Sequence, residues 1–322
     1  MPMSDILKSG TCDVAIIGGG PAGLSAAITL KKESVTNVVV LDRENNAGGI
    51  PRHCGHPPFG IRECRRILTG PAYARRIVAT ALKNGVDIAL KTTVTALGPD
   101  GNLSLVSPDG QQELKARRVL LATGTRETPR SARFVSGGRP LGICNTGTLQ
   151  SMVYLKNKIP FRAPVVVGTE IVAFSALLTC RKAGIKPVAI FEGNSETSVR
   201  WPLQYAAAFF GVPLFTNTRI VNISGENRVQ SVHVLDVEGK VTKFNCDGVL
   251  FTGKFTPEST LARMSHLELD SVTGSPKVDP NGQCSDPAYY AAGNIVHQPV
   301  KVAGKCWSAG EFTAQRIAKD LL

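Results

Sequence analysis

The stretch Cys12-Asp-Val-Ala-Ile-Ile-Gly-Gly-Gly-Pro-Ala-Gly23 decides how the rest of the chain is read. Residues 12–17 are a short apolar run of the kind buried in a parallel sheet. Gly18-x-Gly20-x-x-Gly23 follows at once, and Pro21 opens an Ala- and Leu-rich segment that predicts a helix to about Glu33. Asn37 to Leu41 reads as a second strand, ended by Asp42. Strand, glycine turn, helix, strand and terminal acid together make a βαβ unit of the dinucleotide-binding type. Gly18 permits the tight turn, Gly20 lets backbone N–H groups meet a phosphate, and the helix N-terminus favours the phosphate's charge. Asp42 stands where it can accept hydrogen bonds from an adenosine ribose.

Further along, Pro164-Val-Val-Val-Gly-Thr-Glu-Ile-Val-Ala173 repeats the strand and the turn, but Glu170 stands where the first turn has Gly20. A carboxylate there pushes into the pyrophosphate space, and like charges in a partly desolvated site repel strongly. Glu192 ends the next strand, where the ribose acid of an NAD site belongs. The second unit reads as a structural relic of duplication with a solvated Glu192, ahead of an active NAD site; a shifted site for another nucleotide stays open.

The 322 residues suffice for two domains of ordinary size. With 43% hydrophobic and 19% charged residues, the chain is globular rather than disordered. The 37 basic and 25 acidic residues give 37 − 25 = +12, which favours acidic partners. An acidic redox protein or sister subunit fits better than nucleic acid, because zinc-finger spacing, RNA-binding aromatics and long basic runs are all missing. The N-terminus lacks a signal-peptide pattern, and no apolar run reaches the roughly 18 residues of a membrane span. Eight cysteines are scattered with no C-x-x-C pair, which argues against a zinc or iron–sulfur site in this chain and fits a reducing cytoplasm.

Beyond the first βαβ unit comes a Gly/Pro/His-rich loop, Gly48-Gly-Ile-Pro-Arg-His-Cys-Gly-His-Pro-Pro-Phe-Gly60. Long loops of this kind are uncommon unless functional. A helix is predicted from Gly70 to Asn84, then an antiparallel excursion of short strands near 86–90, 93–97, 102–106 and 112–114. Residues 118–123 return as an apolar strand ending at Gly124. Residues 125–160 read as a linker plus one helix. The second βαβ unit spans Val165 to Glu192. Strands near 214–222, 229–236, 241–245 and 247–253 follow, then a loop at 255–288, a strand from Tyr289 to Asn294, and a last helix from about Ala303 to Leu322. The expected fold class is α/β, with two Rossmann-like three-layer domains. The first is discontinuous (1–125 and 254–322) and encloses a degenerate NAD(P)-binding-like domain with its linker (126–253).

Gly18–Gly23, the pair Gly48-Gly49, Ala122-Thr-Gly124 and Ala291-Ala-Gly-Asn294 occur in the order seen in the pyridine nucleotide–disulfide oxidoreductase superfamily. Over nearly its whole length the chain resembles that group, with thioredoxin-reductase-like architecture. The resemblance implies an FAD-dependent oxidoreductase. It would place the cofactor on Gly18, Gly20, Pro21, Ala22, Gly23, Asp42, Arg43, Gly49, Val94, Thr123, Gly124, Gly293, Asn294 and Ala303. Pyrophosphate would lie on the first turn, ribose on Asp42, and flavin near Gly293 and Asn294. The last helix would aim its N-terminus, Ala303–Trp307, at the flavin pyrimidine, where partial positive charge favours a reduced, anionic flavin. Asn294 replaces the usual Asp of the family and still hydrogen-bonds. NAD(P) is disfavoured by Glu170.

The redox disulfide of the thioredoxin reductases is missing. The loop at 48–60, with Ser136-Gly-Gly-Arg-Pro140 and Thr146-Gly-Thr-Leu-Gln150, instead resembles the electron-handling subunits of opine oxidases, hydrogen cyanide synthase and heteromeric proline or hydroxyproline dehydrogenases. That resemblance implies a heteromeric complex with a small iron–sulfur protein and an amino-acid-oxidase-like sister subunit. Many members carry a cysteine-rich C-terminal segment for a cluster; this chain reaches Leu322 without one, which puts any cluster on a partner.

His53, Cys54 and His56 are the local cluster of catalytic residue types. As metal ligands they need a fourth group that the sequence does not specify, so no metal site is expected. Residues in a Pro/Gly loop more often serve shape. The family geometry would put the loop near the flavin, where Cys54 could act as a single redox cysteine with its pKa lowered by a basic neighbour. Arg62, Arg65, Arg66, Arg75 and Arg76 read as a solvated helix face, or as a docking surface for an acidic subunit. The leading expectation is an electron-transferring subunit of an amine or amino-acid dehydrogenase or oxidase. The alternatives are a stand-alone NAD(P)H-dependent flavin reductase, a single-cysteine peroxidase, and a non-catalytic scaffold that keeps FAD or a nucleotide.

Overall fold

The N-terminal apolar run forms the strand Thr11–Ile17, and the helix Pro21–Lys32 follows its glycine turn. A computed structural model describes residues 5–199, 201, 203–297 and 302–322; residues 1–4, the start of the segment weighed above as a signal peptide, lie outside it. The chain divides into two compact units. One holds residues 1–52, 57–126 and 256–322, the other residues 53–56 and 127–255.

In the first unit Thr11–Ile17 lies between two parallel neighbours, Val38–Asp42 and Gly110–Leu121. Asp87–Leu90 adds a further parallel strand beside Val38–Asp42, with Val39 opposite Asp87. The antiparallel part comprises only Thr93–Leu97, Asn102–Ser107 and the first half of Gly110–Leu121. Tyr289–Ala291, from the far end of the chain, pairs in parallel with Val119–Leu121. Side-chain alternation sets two layers of core. Val14 and Ile16 pack with Leu24, Tyr73, Ile77 and Ile317 of the helices, while Ala15 and Ile17 pack with Leu103, Leu105 and Tyr289. This is the burial pattern of a sheet covered on both faces.

Two expectations change here. The strand at 87–90 belongs to the parallel sheet, not to an excursion. The two strands expected at 112–114 and 118–123 are one continuous strand, Gly110–Leu121. Alternation carries Lys115 and Arg117 outward while Ala116 stays in the core, so one strand runs through this charged stretch.

The second unit repeats the motif on a smaller scale. Pro164–Val167 pairs in parallel with Ala189–Phe191 and with Gly248–Phe251, and Leu214–Phe215 and Ile143–Asn145 complete the sheet at its edges. The helix Ile171–Lys182 packs over it through Ala176, Leu177 and Cys180. A second sheet contains Arg219–Ser224, Ser231–Leu235, Val241–Asn245 and the short Ser136–Gly137. The region expected to be linker plus one helix therefore contributes strands to both sheets. Its helix Thr146–Gln150 is capped by Asn145, whose Oδ1 accepts from Thr148 N at 2.9 Å, and it runs on as a π-helical turn over Ser151–Leu155. The loop at 255–288 holds one more short strand, Phe255–Pro257, and a turn of helix, Thr260–Arg263.

Candidate cofactor site and the second dinucleotide turn

The first unit gathers most of the predicted cofactor residues at the C-terminal edge of its parallel strands. Gly48 N donates to Gly19 O at 2.7 Å, which draws the loop after the second strand onto the glycine turn. A methyl group on Gly49 would stand 2.8 Å from Gly20 Cα. A methyl on Gly293 would stand 2.7 Å from Ala22 Cβ and 3.8 Å from Cys306 Cβ, so the start of helix Pro21–Lys32, the Gly293 turn and the start of helix Ala303–Leu321 converge.

The turn glycines have different jobs. A side chain on Gly18 would press Ala122 O at 2.5 Å, and one on Gly23 would run into Gly18 O, so both are required by the protein's own backbone. A side chain on Gly20 would meet only Gly49 Cα, at 3.9 Å, and one on Gly124 would meet nothing within 4 Å. Gly124 has a φ of +77°, which by itself favours glycine. Packing does not explain Gly20, whereas a phosphate lying against it would. Asn294 makes the same point: its Oδ1 is buried and finds no hydrogen-bond partner among the described residues. A buried acceptor left unpaired costs about 1–3 kcal/mol, which a flavin donor would recover. The residues present fit FAD.

Some expected roles shift. Both oxygens of Asp42 already accept backbone N–H groups, Gly19 on Oδ2 and Glu44 on Oδ1, each at 2.9 Å. Asp42 thus braces the turn, which leaves only its remaining lone pairs for a ribose; Arg43 beside it is exposed. Thr123 spends its hydroxyl on Glu258 O at 2.7 Å. The Val94 side chain belongs to the core, which leaves its backbone for a ligand.

His53, Cys54 and His56 fold with the second unit. Cys54 donates to Gln150 Oε1 at 3.4 Å, Gln150 Nε2 donates to Ser175 Oγ at 2.6 Å, and Ser175 Oγ lies 2.6 Å from His56 Nε2. Gln150 and Ser175 were not singled out from the sequence as partners; the Thr146–Gln150 pattern was the only signal for either. Burial, with the Glu127 carboxylate adding to it, pushes the Cys54 thiol up to about 12. Both causes of that shift, burial and Glu127, act upward, whereas a redox cysteine was expected to have its pKa lowered by a basic neighbour. Among the described residues no group of His, Cys, Asp and Glu is arranged to hold a metal.

The second dinucleotide turn is filled by its own side chains. Glu170 precedes helix Ile171–Lys182, and its Oε2 accepts from Thr252 Oγ1 at 2.8 Å. The carboxylate lies so close over Gly168 that a methyl group there would be 2.6 Å from Oε2, and a methyl on Gly253 would overlap it. Arg133 donates to the Thr252 and Gly253 carbonyls at 3.0 and 2.6 Å; burial lowers its pKa, and the Glu170 charge works against that shift. Glu192 is 5% exposed rather than solvated. Its Oε2 accepts from Thr169 Oγ1 at 2.5 Å, its Oε1 accepts from Asn194 N and Nδ2 at 3.0 and 2.9 Å, and Ser198 N donates to Thr169 Oγ1 at 2.8 Å.

A chain with two glycine-turn βαβ units, the first open and FAD-shaped, is of the two-dinucleotide-fold flavoenzyme class. The profile of the pyridine nucleotide-disulphide oxidoreductases matches residues 12–310, and the chain belongs to that family; it is an FAD-dependent oxidoreductase. It is 25% identical over 325 aligned positions to the ferredoxin–NAD(+) reductase subunit of the benzene 1,2-dioxygenase system of Pseudomonas putida, covering 96% of this chain and 74% of that one. It is 24% identical to an opine oxidase subunit of Rhizobium meliloti over 61% of this chain, but spans only 42% of that relative. In fold it is similar to T. acidophilum thioredoxin reductase, with a TM-score of 0.78, 20% identity, and 97% and 99% of the two chains covered. Among the described residues no helix is long and apolar enough to cross a membrane.

Proposed function

We propose that this chain is the electron-transferring subunit of a multi-subunit amine or amino-acid dehydrogenase or oxidase of the opine or proline type. FAD would be held by Gly20, Gly49, Gly124, Gly293 and Asn294. Bound FAD supplies reversible one- and two-electron transfer. The chain's own groups would orient it: backbone N–H groups at the first turn would meet the pyrophosphate, and the Asn294 amide would meet the flavin end.

The observation that carries the reading is Glu170, held over the second glycine turn by Thr252. A pyrophosphate placed there meets a carboxylate at close range. At an effective dielectric of about 20, two unit charges ~4 Å apart repel by about 4 kcal/mol, roughly a thousandfold in affinity. Glu192 adds to this, because its acceptors are taken by Thr169 and Asn194. Reduced nicotinamide is therefore a poor electron source, and a partner has to deliver the electrons. The likeness to the opine oxidase chain supports the subunit role, and the raised Cys54 pKa speaks against a peroxidatic thiolate.

The likeness to a ferredoxin–NAD(+) reductase favours the second reading, a stand-alone NAD(P)H-dependent reductase. Anaerobic stopped-flow mixing separates the two. NADH and NADPH should leave the flavin absorbance near its starting value over seconds, while dithionite bleaches it. Rapid bleaching by either nucleotide would make the stand-alone reductase the better description. Glu170→Gly, which restores room for the pyrophosphate, should raise the NADH rate.

A further inference from the structure

We infer that the loop at residues 59–68 is the surface on which an acidic sister subunit docks to exchange electrons with the flavin; the inference rests on the subunit reading above. The loop is ordered at its base. Phe59 and Leu68 exchange both backbone hydrogen bonds at 2.9 Å, and the N–H groups of Cys64 and Arg66 both donate to Gly60 O, at 3.0 and 3.2 Å. Phe59, Cys64 and Leu68 pack onto the helical side of the first unit's core, with the Phe59 and Tyr73 rings 5.8 Å apart.

The tip shows the opposite character. Ile61 is 54% and Ile67 73% exposed, on a loop whose base is anchored. Arg62, Arg65 and Arg66 are exposed beside them and make no ion pair among the described residues. Over residues 59–76 there are five arginines and a single acid, Glu63, which accepts from Tyr73 OH at 3.2 Å. Arg62, Arg65 and Arg66 lie on turns and bends rather than on the solvated helix face expected from sequence. Exposed apolar side chains ringed by unpaired arginines complement an acidic protein face with apolar spots, and arginine is enriched at such interfaces.

The loop also rests on the helix proposed to face the flavin. A methyl group on Gly304, in the first turn of helix Ala303–Leu321, would stand 3.2 Å from Glu63 Oε1 and 3.9 Å from Arg62 Cδ. A partner seated on the tip thus reaches the element on which the flavin end of the cofactor is placed.

The test uses the complex purified from the native source, its partner then expressed pure and immobilised. Association is followed at several salt concentrations for the wild-type chain, the triple variant Arg62→Glu, Arg65→Glu, Arg66→Glu, and Ile67→Asp. The triple variant should associate at least tenfold more slowly at low salt and lose most of the salt dependence. Ile67→Asp should dissociate faster with its salt dependence retained. Both should keep the wild-type flavin content, since the loop contains none of the proposed cofactor residues. If the complex forms and the variants join it at the wild-type rate and salt slope, the docking assignment falls while the subunit reading stands. If the wild-type chain leaves its source alone and fully active, the subunit reading fails and takes the surface with it. Retention of the wild-type chain on duplex DNA or anionic vesicles, as tight as on the partner and lost in the same variants, would also overturn the acidic-protein assignment.

Discussion

A methyl group at position 20 would meet only Gly49 Cα, at 3.9 Å, and that makes Gly20 a probe of the cofactor. Gly20→Val should fold with a melting temperature near that of wild-type apoprotein, yet purify without flavin absorbance near about 450 nm and resist reconstitution with FAD. A yellow variant would remove the first turn from the site. Glu127 is a probe of a different kind. Its Oε2 accepts from Gly147 N at 2.7 Å, but burial dominates and raises its pKa. A carboxyl group whose pKa is raised on folding binds more protons in the native state. It therefore costs stability as pH climbs from the unfolded glutamate value, about 4.3, through its folded value. Glu127→Gln keeps the acceptor and removes the charge. Its stability relative to wild type should improve across that window, measured by urea unfolding at a series of pH values; a constant difference would mean that the carboxyl titrates normally. Cys54→Ser should leave flavin content and turnover of the assembled complex largely intact. With a pKa of about 12, only about one thiol in ten thousand is thiolate at pH 8. A trappable sulfenic acid on Cys54 would contradict this.

Comparison of the two strand–turn–helix elements shows what the sequence could and could not tell. The first was legible because its requirements are local: each glycine, the proline opening the helix and the terminal acid lie within thirty or so residues, the span of one βαβ unit. Glu170 was legible as an obstruction for the same reason. Its detailed role was not, because the group that holds it, Thr252, follows a strand far along the chain, Gly248–Phe251. Glu192 was misread as solvated, since nothing near it in sequence shows that Thr169 and Asn194 would turn toward it. The partners of residues 53–56 were hidden on the same ground, since Gln150 and Ser175 lie on two other helices. Glu192→Ala strips Thr169 Oγ1 and the two Asn194 donors of their acceptor in a buried place, and it should destabilise the second unit by about 2–4 kcal/mol in denaturant titrations while FAD stays bound. Loss of FAD at wild-type stability would show that the residue serves the cofactor instead.

At the level of the whole molecule, charge and topology are the properties that matter. A net charge of +12 makes any association with an acidic partner sensitive to ionic strength, because exposed charges more than about 10 Å apart are screened at 0.1 M. Raising salt from 0.05 to 0.5 M should therefore slow assembly of the complex measurably, and salt-independent turnover of a small substrate by the chain alone would contradict a subunit role. Topology has a consequence for biosynthesis. The sheet of the first unit is completed by Tyr289–Ala291, and helix Ala303–Leu321 packs its Gly310 against Ala22 and Ser25 of helix Pro21–Lys32. A ribosome moving at about 5–20 residues per second finishes synthesis of 127–255 about 2–7 s before it adds Tyr289. Nascent chains stalled near residue 290 should accordingly protect the second unit from protease while the N-terminal βαβ unit is still cut. For some seconds the edge of strand Gly110–Leu121 stands without its last neighbour, and an unpaired strand edge invites other chains. Cofactor loading, which on the proposed site needs Gly293 and Ala303 beside Gly20, then cannot precede the release of those residues from the ribosome.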